Sequence, residues 1–205
     1  MSFLNNSEKQ RISAAITAIE CQTSGELVTI ITRSSDEYRY IPYLWAALLA
    51  LLVPGILSVD IIPLAVNLHY LVQICTFLGA AVVFNWSPVK VLLIPSGVKN
   101  LRAHRLAQEQ FFLQNLHTTP GRTGVLLFVS IAEHYVEIIA DKGINDVVND
   151  SDWESIVARF VDEVKNNRVA DGFLTAINAC GALLAEHFPA TDEKTDNLPN
   201  HLIEL

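Results

Sequence analysis

Two uncharged apolar runs lie one behind the other in the middle of the chain, and they limit what the rest of it can do. The first covers Tyr40–Val59 (YIPYLWAALLALLVPGILSV) and is bounded by Arg39 and Asp60. The second covers Leu68–Trp86 (LHYLVQICTFLGAAVVFNW), with Lys90 beyond it. A helix crosses about 30 Å of hydrocarbon with about 20 apolar residues, because each residue advances it by about 1.5 Å. Each run meets that length. Tyr40, Tyr43 and Trp45 open the first run and Trp86 closes the second, where amphipathic rings favour the headgroup layer. Helices buried in a soluble core normally keep a polar stripe, and neither run has one. Pro42 and Pro54 are read as lying near helix ends, where few backbone bonds are lost. The pattern predicts a transmembrane hairpin over 40–86.

The connector Asp60–Asn67 contains no Lys or Arg, whereas the outer flanks carry Arg33, Arg39, Lys90, Lys99, Arg102 and Arg105. Basic flanks stay on the cytoplasmic side, so both termini are expected in the cytoplasm. Met1–Gly25 shows neither the apolar core nor the cleavage pattern of a secretory signal. A hairpin returns the chain to the side it left, which lets the flanking segments join in one domain. Residues 1–39, too few to bury a core alone, would supply its N-terminal part. Residues 97–188 would supply the larger C-terminal part, and 189–205 a polar tail, although its LPNHLIEL segment could dock on a surface.

The net charge of −8 comes from acids outside the apolar runs, most densely between Asp141 and Asp196. Such a surface repels phosphate backbones and disfavours nucleic acid as a partner. The 3 cysteines, Cys21, Cys75 and Cys180, are widely spaced and form no CxxC pair. In a cytosolic setting they read as buried free thiols rather than a disulfide framework.

Outside the hairpin the periodicities alternate. Ser7–Cys21 reads as an amphipathic helix, with Ser7 and Gln10 at capping-box spacing and Ile12, Ile16 and Ile19 on one face. Leu27–Thr32 (LVTIIT) is apolar throughout, as in a strand covered on both faces. After the break at Pro95-Ser96-Gly97, Val98–His117 is predicted helical. Gly124–Ile131 and Tyr135–Ala140 read as a strand hairpin closed through Glu133 and His134. Ser151 and Glu154 suggest a second capping box, before a helix whose apolar face includes Trp153, Ile156, Val157 and Phe160. A last helix is predicted from about Asp171 to His187. This order suggests an α/β fold, a small sheet with helices packed over it.

Several of these segments resemble the TPM domain. They are Thr23-Ser24-Gly25-Glu26 with the LVTII that follows, Arg122-Thr123-Gly124 with VLLFVSIAEHYVEIIADKGI, and Trp153 on its amphipathic helix. With the hairpin included, the chain is similar to bacterial membrane proteins of the family in which a transmembrane hairpin interrupts the domain. That resemblance implies an α/β/α sandwich around a small central sheet and a place in the bacterial inner membrane. It also implies an accessory role, since members act in photosystem repair and receptor modulation. Acid phosphatase activity and divalent-cation binding are attributed to other members. The chain departs from the commoner layout, which has a signal peptide and an extracytoplasmic domain.

The acids Asp141, Asp146, Asp150 and Asp152, with Glu154, form the densest candidate cluster. Ca²⁺ or another divalent hard cation needs several oxygen ligands, and carboxylates converging in a loop can provide them. Asp150-Ser151-Asp152 begins like an EF-hand loop but lacks its glycine and its closing glutamate. Turn formation and helix capping account for the same spacing without a metal. No GxSxG, HExxH or Cys-to-Arg phosphate loop is present, so no catalytic set is assigned. A metal-dependent phosphohydrolase built on Asp141 with Asp150 or Asp152 is the rival reading.

His104, His117, His134 and His187 are scattered and read as surface or helix-end imidazoles, and Arg102 and Arg105 as snorkelling cations. The apolar runs hold no Asp, Glu, Lys or Arg, which argues against an ion pathway. Gly79, Ala80 and Ala81 would allow another helix to approach closely. The expected function is a membrane-anchored accessory or scaffold protein. Its partners would be the lipid bilayer and either another membrane protein or further copies of itself, and no cofactor is required.

Overall fold

A computed structural model describes residues 4–60, 66–190 and 201–205. The chain divides into two compact units, Met1–Ser35 with Ala103–Leu205, and Asp36–Arg102. In chain order the elements are α1 (Asn6–Glu20), β1 (Glu26–Thr32), α2 (Tyr40–Asp60), α3 (Val66–Phe84), α4 (Ser87–Leu93) and α5 (Ser96–Leu113). Two short 3₁₀ turns, Leu116–Thr118 and Pro120–Arg122, lead into β2 (Gly124–Ser130) and β3 (Tyr135–Ala140). The one-turn helix α6 (Lys142–Asn145), then α7 (Asp150–Lys165), α8 (Val169–His187) and the two-residue strand β4 (Ile203–Glu204) complete the chain.

The first unit is built on a four-stranded sheet of order β3-β2-β1-β4. β1 runs parallel to β2, in register from Glu26↔Gly124 to Thr32↔Ser130, and β2 pairs antiparallel with β3. Parallel neighbours cannot be joined by a tight turn and need a long crossover. Here the crossover contains α2, α3, α4 and α5, so the apolar hairpin interrupts the chain where the topology already requires a detour. β1 and β2 are buried along their whole length because helices cover both faces. Leu27, Ile31, Val125, Leu127 and Val129 face the core shared with α1, α7 and α8. Val28, Ile30, Leu126 and Phe128 face Ala103, Ala107 and Phe111 of α5. The result is an α/β/α sandwich. Each fully buried side chain of this size contributes roughly 1.5–3 kcal/mol.

Local signals locate the elements well and their ends less well. The first capping box is Asn5 with Glu8 rather than Ser7 with Gln10: Asn5 Oδ1 accepts from Glu8 N at 2.8 Å, and Glu8 Oε2 accepts from Asn5 N at 2.7 Å. Ser7 instead donates to Asn5 Oδ1 at 2.6 Å. α7 begins at Asp150 with Asn149 as N-cap and no side-chain cap bond, so Ser151 and Glu154 lie inside the helix and form no box. Ser96 already belongs to α5, and α4 occupies a stretch for which no helix was expected. Of the thiols expected to be buried, Cys21 and Cys75 are exposed and only Cys180 is enclosed. Cys21 follows the last inward residues of α1, which explains its exposure.

The end of the tail is structural rather than polar surface. β4 pairs parallel with β1 through Ile30↔Ile203 and Ile31↔Glu204, and Leu202 is buried in the core of the sandwich. Lys9 Nζ donates to Glu204 at 2.9 Å. The sheet edge at β1 is thereby covered, as edge strands generally require.

In the second unit α2 packs on α3. Ala46, Ala50 and Ala80 are buried, while Leu44, Leu51, Leu52, Ile56, Leu71 and Val82 are exposed. Small residues at such a contact let the helix backbones approach. Pro54 lies inside α2 rather than near its end. Trp45 Nε1 donates to the Leu93 carbonyl at 3.1 Å, and Tyr38, Ile41 and Ile94 form a small core of their own. Asp36 pairs with Arg102 at 3.2 Å. The hydrogen bond of Arg102 to Tyr40, then the charge of Asp36, raise its pKa above the ordinary guanidinium value. Residues 61–65 of the expected connector fall outside the described residues.

Among the described residues, three helices are long and apolar enough to cross a membrane, over Tyr40–Leu57, Val66–Phe84 and Val169–His187. Their surroundings differ. α8 buries Phe173, Ile177, Cys180 and Leu184 in the sandwich core, so its hydrophobicity is used in folding. α2 and α3 leave most of their large apolar side chains exposed.

Candidate functional site

Asp141, Asp146, Asp150 and Asp152 fall on three successive local structures. Asp141 ends β3 and caps α6, accepting from Lys142 N at 2.7 Å. Its two oxygens also take a forked pair of bonds from Arg122, Nε at 2.8 Å and an Nη at 2.7 Å. Burial of this carboxyl is the largest single influence and pushes its pKa up. The Arg122 bond, the Lys142 N–H, the Arg122 charge and His117 together outweigh it, and the pKa is lowered. Asp146 is the exposed C-cap of α6, while Asp150 and Asp152 lie in the first turn of α7, where acids favour the helix dipole. Among the described residues, no three His, Cys, Asp or Glu side chains are grouped so that they could hold a metal ion.

The Arg122–Asp141 pair joins two segments pressed together at their backbones. Arg122 has φ 58° and Gly121 φ 74°, both left-handed. A Cβ on Gly143 would stand 2.2 Å from the Gly121 carbonyl oxygen and 2.7 Å from that of Arg122. Only glycine allows α6 to lie this close to the loop. Arg122-Thr123-Gly124 and Asp141-Lys142-Gly143 are therefore two halves of one structural clasp.

The residues arranged most like a site lie elsewhere, along the outer edge of β3. No further strand pairs there among the described residues. A cleft of about 550 Å³ runs beside that edge, bordered by His104 and Gln108 of α5 and by Asp150, Trp153, Glu154 and Ala158 of α7. In its lining Glu137 accepts from His104 Nδ1 at 2.9 and 3.0 Å, and it also accepts from the hydroxyl of Tyr135, outside the lining, at 3.0 Å. Burial, then the charge and hydrogen bond of Glu137, push the Tyr135 pKa up, so the phenol remains a donor. The Trp153 indole N–H is buried and has no hydrogen-bond partner among the described residues. Among the described residues, no Ser, Thr, Cys, Lys or Arg lines the cleft. Among the described residues it thus presents hydrogen-bonding groups, carboxylates and an open strand edge, without a hydroxyl or thiol nucleophile or a fixed cation.

Sequence reasoning treated His104 as isolated, because its partner is 33 positions away. The available signal was the Tyr135-x-Glu137 alternation, which puts both side chains on one strand face. A second polar cluster also escaped notice. Glu133 is buried in the β2–β3 turn, where it accepts from Ser34 Oγ at 3.0 Å and Ser35 N at 3.1 Å and also bonds Ser130 Oγ. It holds the chain where it leaves β1.

The layers and strand order define a helix-covered mixed sheet of a known structural class. An NMR structure of the BA42 protein from the psychrophilic bacterium Bizionia argentinensis is similar, with TM-score 0.63 and 21% identity, covering 100% of this chain and 97% of that one. At that identity the likeness shows the fold. Residues 88–183 match the family model of the TPM domain, from within α4 to near the end of α8. Over that stretch the chain is similar to the TPM domain. No curated protein matches the chain.

Proposed function

We propose that this is a membrane-anchored accessory protein, held in the bacterial inner membrane by α2 and α3, with both termini and the sandwich in the cytoplasm. The observation that carries the reading is the exposed apolar surface of α2 and α3, set against the burial of the less apolar α8. The positive flanks Arg33, Arg39, Lys90 and Lys99 favour the orientation. The sandwich would act by contact. Its open β3 edge and cleft suit an extended segment of a membrane-protein partner, since strand edges recruit by main-chain bonds and adjacent side chains select. A catalytic role has less support, because Asp141 is committed to Arg122 and α6, and the cleft lining holds no hydroxyl or thiol nucleophile among the described residues.

The native cysteines provide a test. The full chain should resist alkaline carbonate extraction, and a membrane-impermeant maleimide should label exposed Cys21 in inverted vesicles but not in intact cells. Release by carbonate would remove the anchor; Cys21 labelling from outside would reverse the topology. For the contact role, affinity capture from membranes should return a reproducible partner that is lost in Ala158→Arg and Glu154→Arg, both exposed cleft positions. Capture unaffected by either change would remove the cleft from the reading.

A further inference from the structure

A second cavity of about 500 Å³ lies at the opposite end of β3, where β2 ends, and has a different character. Its walls are Val129, Ile131, Val136, Phe160, Val161 and Val164. Its polar lining includes His134, at φ 53° in the β2–β3 turn, and Lys165, on the last turn of α7. The cavity is a recess partly open to solvent rather than an enclosed void. It falls within the roughly 300–1,000 Å³ of small-molecule pockets. Apolar walls hold water poorly, so an apolar occupant gains by entering.

Charge narrows the choice. The protein carries net −8, yet among the described residues no Asp or Glu lines this cavity. Lys165 makes no ion pair among the described residues, and its exposed ammonium is available to an incoming anion. An apolar chamber with a cation in its lining complements a molecule with one hydrocarbon chain and an anionic head. The volume suits one chain, not the two of a diacyl lipid. The same chain carries the apolar helices α2 and α3, which on the membrane-anchored reading keep it at a bilayer, a source of such molecules.

We propose that this cavity is a binding site for a single-chain fatty acid, with the acyl chain against Val129, Phe160, Val161 and Val164 and the carboxylate at Lys165. The site belongs wholly to the sandwich and does not depend on the contact role of the β3-edge cleft.

The test uses the full chain in zwitterionic phosphatidylcholine nanodiscs with a diazirine-bearing dodecanoate, irradiated and mapped by peptide mass spectrometry. Labelling of α2 and α3 in the same sample reports the probe dissolved in the bilayer. Relative to that reference, adducts should concentrate on the peptides carrying Val129, Val161 and Val164. Decanoate should compete, and two further methylenes should lower the competing concentration about tenfold. Val161→Trp, which fills the chamber, should reduce the cavity-to-helix labelling ratio at least about tenfold, and Lys165→Ala several-fold. Lys165 is exposed, so that variant keeps the test valid should the tryptophan disturb folding. Adducts confined to α2 and α3 would overturn the site, as would cavity labelling unchanged in both variants. Equal competition by decanol and decanoate would overturn the role of the carboxylate.

Discussion

Replacing Gly143 with alanine should be far costlier than a one-methyl change in an exposed one-turn helix suggests. The new Cβ would lie 2.2 Å from the Gly121 carbonyl oxygen and 2.7 Å from that of Arg122, both backbone atoms. Neither can rotate aside like the end of a side chain, and both residues already hold left-handed φ angles. Relief requires moving α6 or the loop by most of an ångström, which strains the Arg122–Asp141 pair and the Asp141 cap. Overpacking of this kind costs about 1–3 kcal/mol, and contact with backbone puts it near the upper end. The helix-propensity gain of alanine over glycine, about 1 kcal/mol at most, offsets only part. A net loss of about 2 kcal/mol corresponds to roughly 4–8 °C in the melting temperature of a chain of this size. The assay is thermal unfolding of the detergent-solubilised full chain by far-UV circular dichroism. Lys142→Ala, at the neighbouring exposed position, is the control and should stay within about 0.5 kcal/mol of the parent. If Gly143→Ala melts with Lys142→Ala, the close approach of α6 to the loop is wrong.

Three further outcomes follow from the same geometry. The Asp141 pKa is lowered in the fold, so its contribution is present above its unfolded pKa, near 3.8, and is lost as pH falls through the folded value. Asp141→Asn should therefore cost about 1–2 kcal/mol at neutral pH, discounted for the half-exposed Arg122, and the difference should shrink on acidification; a gap independent of pH would refute the pairing. Leu202→Ala should destabilise the sandwich by about 2–3 kcal/mol, because a buried leucine at the chain end helps hold β4 to the sheet. A melting curve equal to the parent's would mean that β4 is dispensable. Phosphomonoesters with divalent cations should not be turned over by the full chain, and metal-dependent turnover abolished by Asp141→Asn would overturn the accessory reading.

Much of the architecture was legible because it rests on periodicity. Two long uncharged runs, the buried strands at Leu27–Thr32 and Gly124–Ser130, and the apolar face around Trp153 each repeat a local pattern that only one kind of element satisfies. Cap positions were less legible, since Asn5, Ser7, Asn149 and Ser151 all have side chains able to cap, and the winner depends on where the first buried turn falls. The acidic cluster illustrates the limit for sites. Its members are close in sequence, but Asp141 turns inward to Arg122 while Asp150 and Asp152 begin a different helix. The His104–Glu137 contact was invisible for the opposite reason, because only the packing of α5 over β3 brings those side chains together.

Sequence alone determined the long helices, the three longer strands and the two apolar runs, because those properties follow from side-chain spacing and from the cost of burying backbone polar groups. The tertiary structure showed how α8, less apolar than α2 and α3 and carrying Asp171 and Glu186, spends its apolar face on the sandwich core. It also decided that the last residues complete the sheet as β4 and that Asp141 serves a clasp. Each is a pairing between segments far apart in the chain, formed when burial on the two faces of one sheet sets which side chains meet.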